Sequence, residues 1–407
     1  MNILILSEAF PPETKSASTL IFELAQSLVQ NGHFVSVVTR MPRYNVASGT
    51  QLAEIPARET MFGIKVYRFQ TPPLARDIPF IRGLEHFLLG LIFFWGGLFL
   101  GKFDIVLVYS PPLPLGISGY WLSRIKDCPV VVNIQDLYPQ TVIDLGLLKN
   151  PFLIWISRMM EKFIYHRADA LTVHSEGNKK YVIEMGAGQE KTTVIHNWVD
   201  TDFIRPAGKE NDFSRKYNLV NKFVVSFAGV MGFAQGLDVV IEAAELLQEK
   251  DDIIFVLVGD GVKKLELENK VRNKGLQNVL FVPTVPLKEY PNILHASDVC
   301  LVTLRHDLLT PVVPGKILSI MAAGKPILAS LPLFGDAPKI IREFGCGLVV
   351  EPSNPRLLAE AVLEMYNNNA LREEMGKRGR QAAVQYFSRS ICVDKYEYLF
   401  GSLQRRK

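Results

Sequence analysis

With 407 residues, 48% of them hydrophobic and 21% charged, the chain has room for two domains with separate cores and is too apolar to be disordered. A net charge of +4 excludes a strong polyanion binder, and no nucleic-acid partner is expected. The four cysteines (Cys128, Cys300, Cys346, Cys392) show no CxxC and no Cys/His cluster, so neither a disulfide framework nor a zinc site is expected and a reducing, cytoplasmic compartment fits.

From Met1 the sequence runs directly into a strand pattern, without the basic and apolar segments of a secretory leader. Strand-like runs then alternate with amphipathic helices: 3–7, 34–39, 64–69, 104–110, 130–134, 170–174 and 193–196. Between the first two, Leu20, Ile21, Leu24 and Leu28 share one helical face from Ser18, a plausible cap, to Gln30. The segment Phe87–Leu100 holds fourteen uncharged residues flanked by Arg76, Arg82 and Lys102, which is short of the roughly 20 needed to span a bilayer. It reads as a core helix or as a membrane-surface patch. Asn197 to Asn218 interrupts the pattern, and a second series follows at 222–228, 253–258, 279–282, 299–304, 327–330 and 347–350. Helices are expected at 238–250, at 355–366 and at 391–403, the last packing through Val393, Tyr396, Tyr398 and Leu399. Such βα series form parallel sheets covered by helices. The expected fold is α/β, two Rossmann-like doubly wound domains facing across a cleft, over residues 1–199 and 200–385.

The segment Thr310 to Pro326 carries the strongest local signal. Pro314-Gly315-Lys316 opens a short apolar helix, where free N–H groups and the Lys316 charge suit a phosphate. An ordinary connection with an exposed lysine is the alternative. Neither Val258-Gly259-Asp260-Gly261 nor the glycine-rich stretch Gly229–Gly236 has the G-x-G-x-x-G spacing of a dinucleotide site. Asp200-Thr201-Asp202 reads as a turn rather than a metal site. The first βα turn, Phe10 to Ser18, can present the Ser16 and Ala17 amides and the Lys15 charge to a ligand. Asp136 follows the strand at 130–134 and can orient or deprotonate a hydroxyl, or cap a helix.

Taken in order, Phe10-Pro11-Pro12-Glu13, Glu23-Leu24-Ala25, Gly32-His33, Asp136-Leu137-Tyr138-Pro139, Ser175-Glu176-Gly177, Asn197-Trp198-Val199-Asp200, Gly229…Gln235-Gly236, Val258–Gly261 and Pro314–Pro326 resemble the retaining family 4 glycosyltransferases of GT-B fold across essentially the whole chain. Within that family the chain is most similar to the WbuB-like N-acetyl-L-fucosamine transferases of O-antigen and capsule assembly. The resemblance implies a UDP-linked sugar donor, a lipid-linked saccharide acceptor, and no metal or other cofactor. It also implies work at the inner face of the cytoplasmic membrane, and a C-terminal helix, 386–407, that crosses back to join the first domain. Carried over by position, donor binding falls to Ser16, Ala17, Gly232, Gln235, Asp260, Gly261, Pro283, Thr284, Val285, Gly315, Lys316 and Ser319. Acceptor binding falls to Glu13, Lys15, Asp136 and Tyr138, with Asp136 and Lys316 as catalytic residues. Several positions depart from the family. Val230 and Gln235 stand where relatives carry phosphate-binding Arg and Lys, Pro311 and Ser319 where they carry two Glu, and Gln135 where they carry His. A non-catalytic nucleotide-sugar binder and a GT-B-fold epimerase are the alternatives.

Overall fold

The computed structural model describes residues 1–43, 46, 51–72, 79–144, 146–307 and 313–405, with the backbone alone at 79–82. Arg76, Thr310, Pro311 and Val312 lie outside the described residues, as does the Arg82 side chain.

The chain divides into two compact units, Met1–Asn197 with Arg389–Lys407, and Trp198–Ser388. In the first unit the strands are β1 (Asn2–Leu6), β2 (Phe34–Arg40), β3 (Arg58–Met61), β4 (Ile64–Phe69), β5 (Ile105–Ser110), β6 (Val130–Ile134), β7 (Ala170–Val173) and β8 (Thr192–Val194). The helices are α1 (Ser16–Gln30), α2 (Pro79–Leu98), α3 (Pro114–Lys126), α4 (Gln140–Asp144), α5 (Pro151–Arg167) and α6 (Glu176–Glu184). The second unit holds α7 (Asp212–Lys216), β9 (Phe223–Ala228), α8 (Asp238–Leu246), β10 (Ile253–Val258), α9 (Lys264–Lys274), β11 (Val279–Val282), α10 (Tyr290–Ala296), β12 (Val299–Thr303) and α11 (Lys316–Ala322). It continues with β13 (Ile327–Ser330), α12 (Asp336–Glu343), β14 (Gly347–Val350), α13 (Pro355–Asn367) and α14 (Asn369–Tyr386); α15 (Arg389–Gln404) returns to the first unit.

The first sheet runs β3-β4-β2-β1-β5-β6-β7-β8 and the second β11-β10-β9-β12-β13-β14. All pairings are parallel except β3 with β4. Helices on both faces leave the central strands no solvated side, which is why β5 (IVLVYS) and β6 (VVVNI) are buried at every position. In each sheet the strand order reverses beside the first strand, between β1 and β5 and between β9 and β12. At such a reversal the two connecting helices leave toward opposite faces, and the strand ends between them are open to a ligand.

Three expectations are corrected. β3 was not anticipated, because Arg58, Glu59 and Thr60 are polar in succession, without the apolar alternation of a half-buried strand, and the segment pairs only at the sheet edge. Ser18 does not cap α1: the helix starts at Ser16 with Lys15 before it, and Ser18 is buried inside the first turn. Tyr398 does not pack; it is exposed, and α15 buries Cys392, Val393, Tyr396, Phe400 and Leu403 instead. Phe87–Leu100 falls almost wholly within α2, which turns Leu89 and Phe93 into the core and Phe87, Leu91 and Trp95 outward.

Candidate functional site

The second unit gathers its glycines where β9 and β10 end. Gly229, Gly259 and Gly261 have φ of +150°, +141° and +151°, a region L side chains rarely adopt. A methyl group on Gly259 would lie 2.0 Å from the Gly229 carbonyl oxygen, and one on Gly261 would lie 2.5 Å from that of Met231. The two strand-end loops therefore touch backbone to backbone. They are tied by Gly229 N–H to Val258, Met231 N–H to Asp260 and Lys263 N–H to Met231. Asp260 adds its own side chain, which accepts from the Gly261 N–H at 2.7 Å. Gly232 opens a single 3-10 turn, Phe233–Gln235, that ends at Gly236 in the left-handed region.

Lys316 enters this loop pair from α11. Its Nζ lies 3.7 Å from the centroid of the Phe227 ring and would be 3.1 Å from a methyl group at Gly229. No carboxylate among the described residues pairs with it. Although part of the side chain is still accessible, the ammonium end is desolvated, and burial pulls its pKa down to about 7. An unpaired cation against a glycine loop favours an anion, because a bound negative charge restores what desolvation removes. Gly315, the residue before α11, is exposed. Ser319 sits one turn along, half-buried and hydrogen-bonded to the phenol of the partly buried Tyr290. Pro283 and Thr284 are exposed at the end of β11, and Val285 packs on the core beneath. Two residues not foreseen as site residues, Thr303 and Ser330, pair in register at the ends of β12 and β13 with buried hydroxyls that have no hydrogen-bond partner among the described residues.

In the first unit the strand ends carry a polar web. Asn133 Nδ2 donates to Thr172 Oγ1 (2.9 Å) and to the Tyr396 hydroxyl (2.8 Å), which ties α15 to the sheet. Gln135 and Asn197 exchange two amide hydrogen bonds of 3.0 and 2.9 Å. His174 Nε2 lies 3.0 Å from the Gln135 carbonyl oxygen and 2.9 Å from Asn178 Nδ2. This web holds the turn that presents Asp136. The carboxyl keeps access to solvent, yet the crowding of the strand ends raises its pKa, and His174 pulls it partly back. Asp136 caps no helix, since α4 begins four residues later, at Gln140. Tyr138 is half-buried in the same turn.

The first βα turn is built on ion pairs. Glu13 is 4% exposed, with its carboxylate 3.1 Å from Lys15 and 3.5 Å from the buried Arg40. Glu13 thus organises the loop, and Lys15 lies at its surface. Ser16 and Ala17 are the first two residues of α1, whose opening N–H groups have no partner within the helix. The Asp200-Thr201-Asp202 turn is closed by Asp200 Oδ1, which accepts from the Asp202 and Phe203 amides. The structure brings Gly232, Gln235, Asp260, Gly261, Gly315 and Lys316 to one edge of the second sheet. Asp136 and Tyr138 stand at the corresponding edge of the first. Phe227, His174 and Asn178 escaped the sequence reading, and Asn197 entered it only as part of a family motif, although a His or Asn closing an apolar strand is a usable signal.

Comparison with known proteins fits this arrangement. Residues 17–198 match the glycosyl transferase 4-like domain model and residues 209–382 the glycosyl transferases group 1 model. WcaI of Escherichia coli K12, described as a colanic acid biosynthesis glycosyl transferase, is 24% identical over 387 residues, covering 92% of this chain and 95% of its own. WbjE of Pseudomonas aeruginosa, described as a glycosyltransferase, is 28% identical over 300 residues, 72% of this chain and 73% of its own. Among solved structures, Anabaena HepE in complex with UDP superposes with a TM-score of 0.75 at 18% identity, covering 99% of this chain and all of that one. Sucrose-phosphate synthase from Thermosynechococcus elongatus superposes with a TM-score of 0.78 at 17% identity over the full length of both chains. The two domain matches together cover most of the chain, one on each structural unit, and the protein is a glycosyltransferase of GT-B fold.

Proposed function

We propose that the protein moves a sugar, N-acetyl-L-fucosamine or a related amino sugar, from a UDP-linked donor to a lipid-linked saccharide in surface polysaccharide biosynthesis, with retention of configuration. The observation that carries the donor half is the desolvated, unpaired Lys316 ammonium beside Gly229. The UDP and UDP-glucose complexes of HepE support a uridine donor, and the naming of WcaI for colanic acid supports a polysaccharide acceptor. Retention and the sugar rest on the family resemblance.

In this reading the bond from the anomeric carbon to the β-phosphate oxygen breaks, and UDP leaves with the electron pair. The acceptor oxygen then bonds the same carbon on the same face. Charge builds on the leaving diphosphate, and Lys316 with the Gly232 and Gly315 amides stabilises it, while Gly261, its amide held by Asp260, keeps the loop close to the donor. The Ser16 and Ala17 amides are proposed as further phosphate donors, with Gln235 and Asp260 shaping the loops. Backbone groups of Pro283, Thr284 and Val285 would hold the base. Ser319 would meet the ribose through the hydroxyl it shares with Tyr290. Asp136 takes the acceptor proton or orients the hydroxyl, with Tyr138 and Lys15 along the acceptor and Glu13 holding Lys15. Incubation with a panel of UDP-sugars and a lipid-linked acceptor, reading product and anomer, tests the scheme. Lys316→Ala should lower kcat by about 100-fold or more. Near-normal turnover would remove Lys316 from the diphosphate, and an inverted product would overturn retention.

A further inference from the structure

We propose that the outer face of α2, α3 and α5 docks on the surface of a bilayer that contains anionic lipid. The three helices cover one face of the first sheet, with α3 in the middle. Ser118 of α3 bonds the Gly90 carbonyl of α2 at 2.7 Å, and Gly116 of α3 packs on Ile164 of α5. Their inner residues, among them Leu89, Phe93, Leu122 and Ile164, form the core.

Their outer residues are as apolar as the inner ones. On and just past α2, Leu84, Phe87, Leu91, Trp95 and Phe99 recur every three or four residues and are all exposed, Phe99 by 81%. Trp121 and Ile125 continue the face on α3, and Phe152, Trp155 and Met159 on α5. Trp95 stacks on Phe99, and Phe152 on Trp155. An open apolar groove of about 350 Å³ runs between Phe69, Leu91, Trp95 and Phe99. An exposed apolar area of this extent, with three tryptophans, marks an interaction surface.

Charge selects the occupant. Both carboxylates on these helices are turned inward: Glu85 is bonded by Arg43 at 2.8 Å, and Glu161 by Arg158 at 2.8 Å. Arg158 is thereby drawn inward as well and is not one of the lipid-facing cations. Lys102, Lys162 and Arg167 are exposed at the edge, as is Arg124 in its pair with Asp169, and Asp127 is an exposed carboxylate just past α3. Met159, Lys162, Phe163, His166 and Arg167 line an open pocket of about 510 Å³, a basic place for a phosphate headgroup beside the apolar face. Aromatic residues at headgroup level with a basic rim are what an anionic membrane surface binds. A second copy of this chain fits less well, because a two-fold contact through the face would bring two basic rims together. No helix among the described residues is long and apolar enough to cross a membrane, so the contact is peripheral.

The docking stands on its own observations, and the lipid-linked acceptor proposed above is what it would serve. The test is co-flotation of the full chain with phosphatidylcholine vesicles, with and without phosphatidylglycerol, at low and high salt. The wild type should float with the anionic vesicles, and salt should weaken the binding. Trp95→Ser with Trp155→Ser should lower lipid affinity about tenfold or more. Lys162→Glu with Arg167→Glu should abolish the preference for anionic lipid. All variants should bind UDP like the wild type, which separates a failure of docking from a failure of the donor reading. Absence of flotation, flotation unchanged in both variants, or dimers in sedimentation that the tryptophan substitutions dissolve would each overturn the proposal.

Discussion

Burial beside an aromatic ring strips hydration from Lys316, and the titration of that one side chain would couple the proposed donor site to pH. Asp136 is its counterpart in the first unit, a carboxyl whose ionised form is disfavoured by crowding and favoured by His174. If Asp136 must be ionised to act, the rate has an acid limb displaced upward from the ordinary aspartate value by desolvation. Removing the imidazole withdraws its stabilisation of the anion, so the Asp136 pKa rises and the limb moves to higher pH. His174→Gln should shift the acid limb of kcat/KM upward, and Asp136→Asn should erase it. A limb unmoved by either change would leave the pair a structural role only. Lys316 and Asp136 were both legible in the sequence, one at a helix start and one at a strand end. His174 was not, because its importance comes from β7 lying next to β6, a pairing distant in the chain.

At the scale of elements, the buried parallel strands were readable because continuous apolar runs leave few alternatives, and most strand ends fell within a residue of their expected places. What escaped were features set by tertiary partners. The β3 edge strand needs β4 beside it, and the α1 start depends on how Lys15 and Glu13 pair in front of it. The packing of the two glycine loops was equally hidden: the sequence showed Gly229 and Gly259 as separate motifs, thirty residues apart and with the wrong spacing for a dinucleotide. In three dimensions they are one object, since Gly259 and Gly261 lack the side chains that would separate the two loops. Gly259→Ala sets a methyl group against the Gly229 carbonyl and strains a φ of +141°. It should destabilise the second unit by at least about 2 kcal/mol in denaturant unfolding and weaken UDP binding. Wild-type stability in that variant would mean the loops do not define the site.

At the scale of the whole molecule, the chain leaves the first unit after Asn197 and re-enters it at Arg389, so α15 completes a core begun by the N-terminal residues. The buried Tyr396 hydroxyl joined to Asn133 is the molecular form of that closure. The two-unit plan was visible in two successive βα series. The return of the last helix came from the family resemblance, because an isolated amphipathic helix does not say which sheet it will cover. The glycosyltransferase assignment rests on both units, whereas the proposed UDP donor depends on one lysine at an edge of the second. Calorimetric titration of the full chain with UDP between pH 7 and 9 tests that claim most directly. The wild type should bind, with affinity falling by up to about tenfold per pH unit as Lys316 loses its proton above its pKa of about 7. Lys316→Met should bind at least about tenfold more weakly at pH 7 and show no such fall. Equal affinity in the two proteins, or a wild type indifferent to pH in this range, would contradict the account.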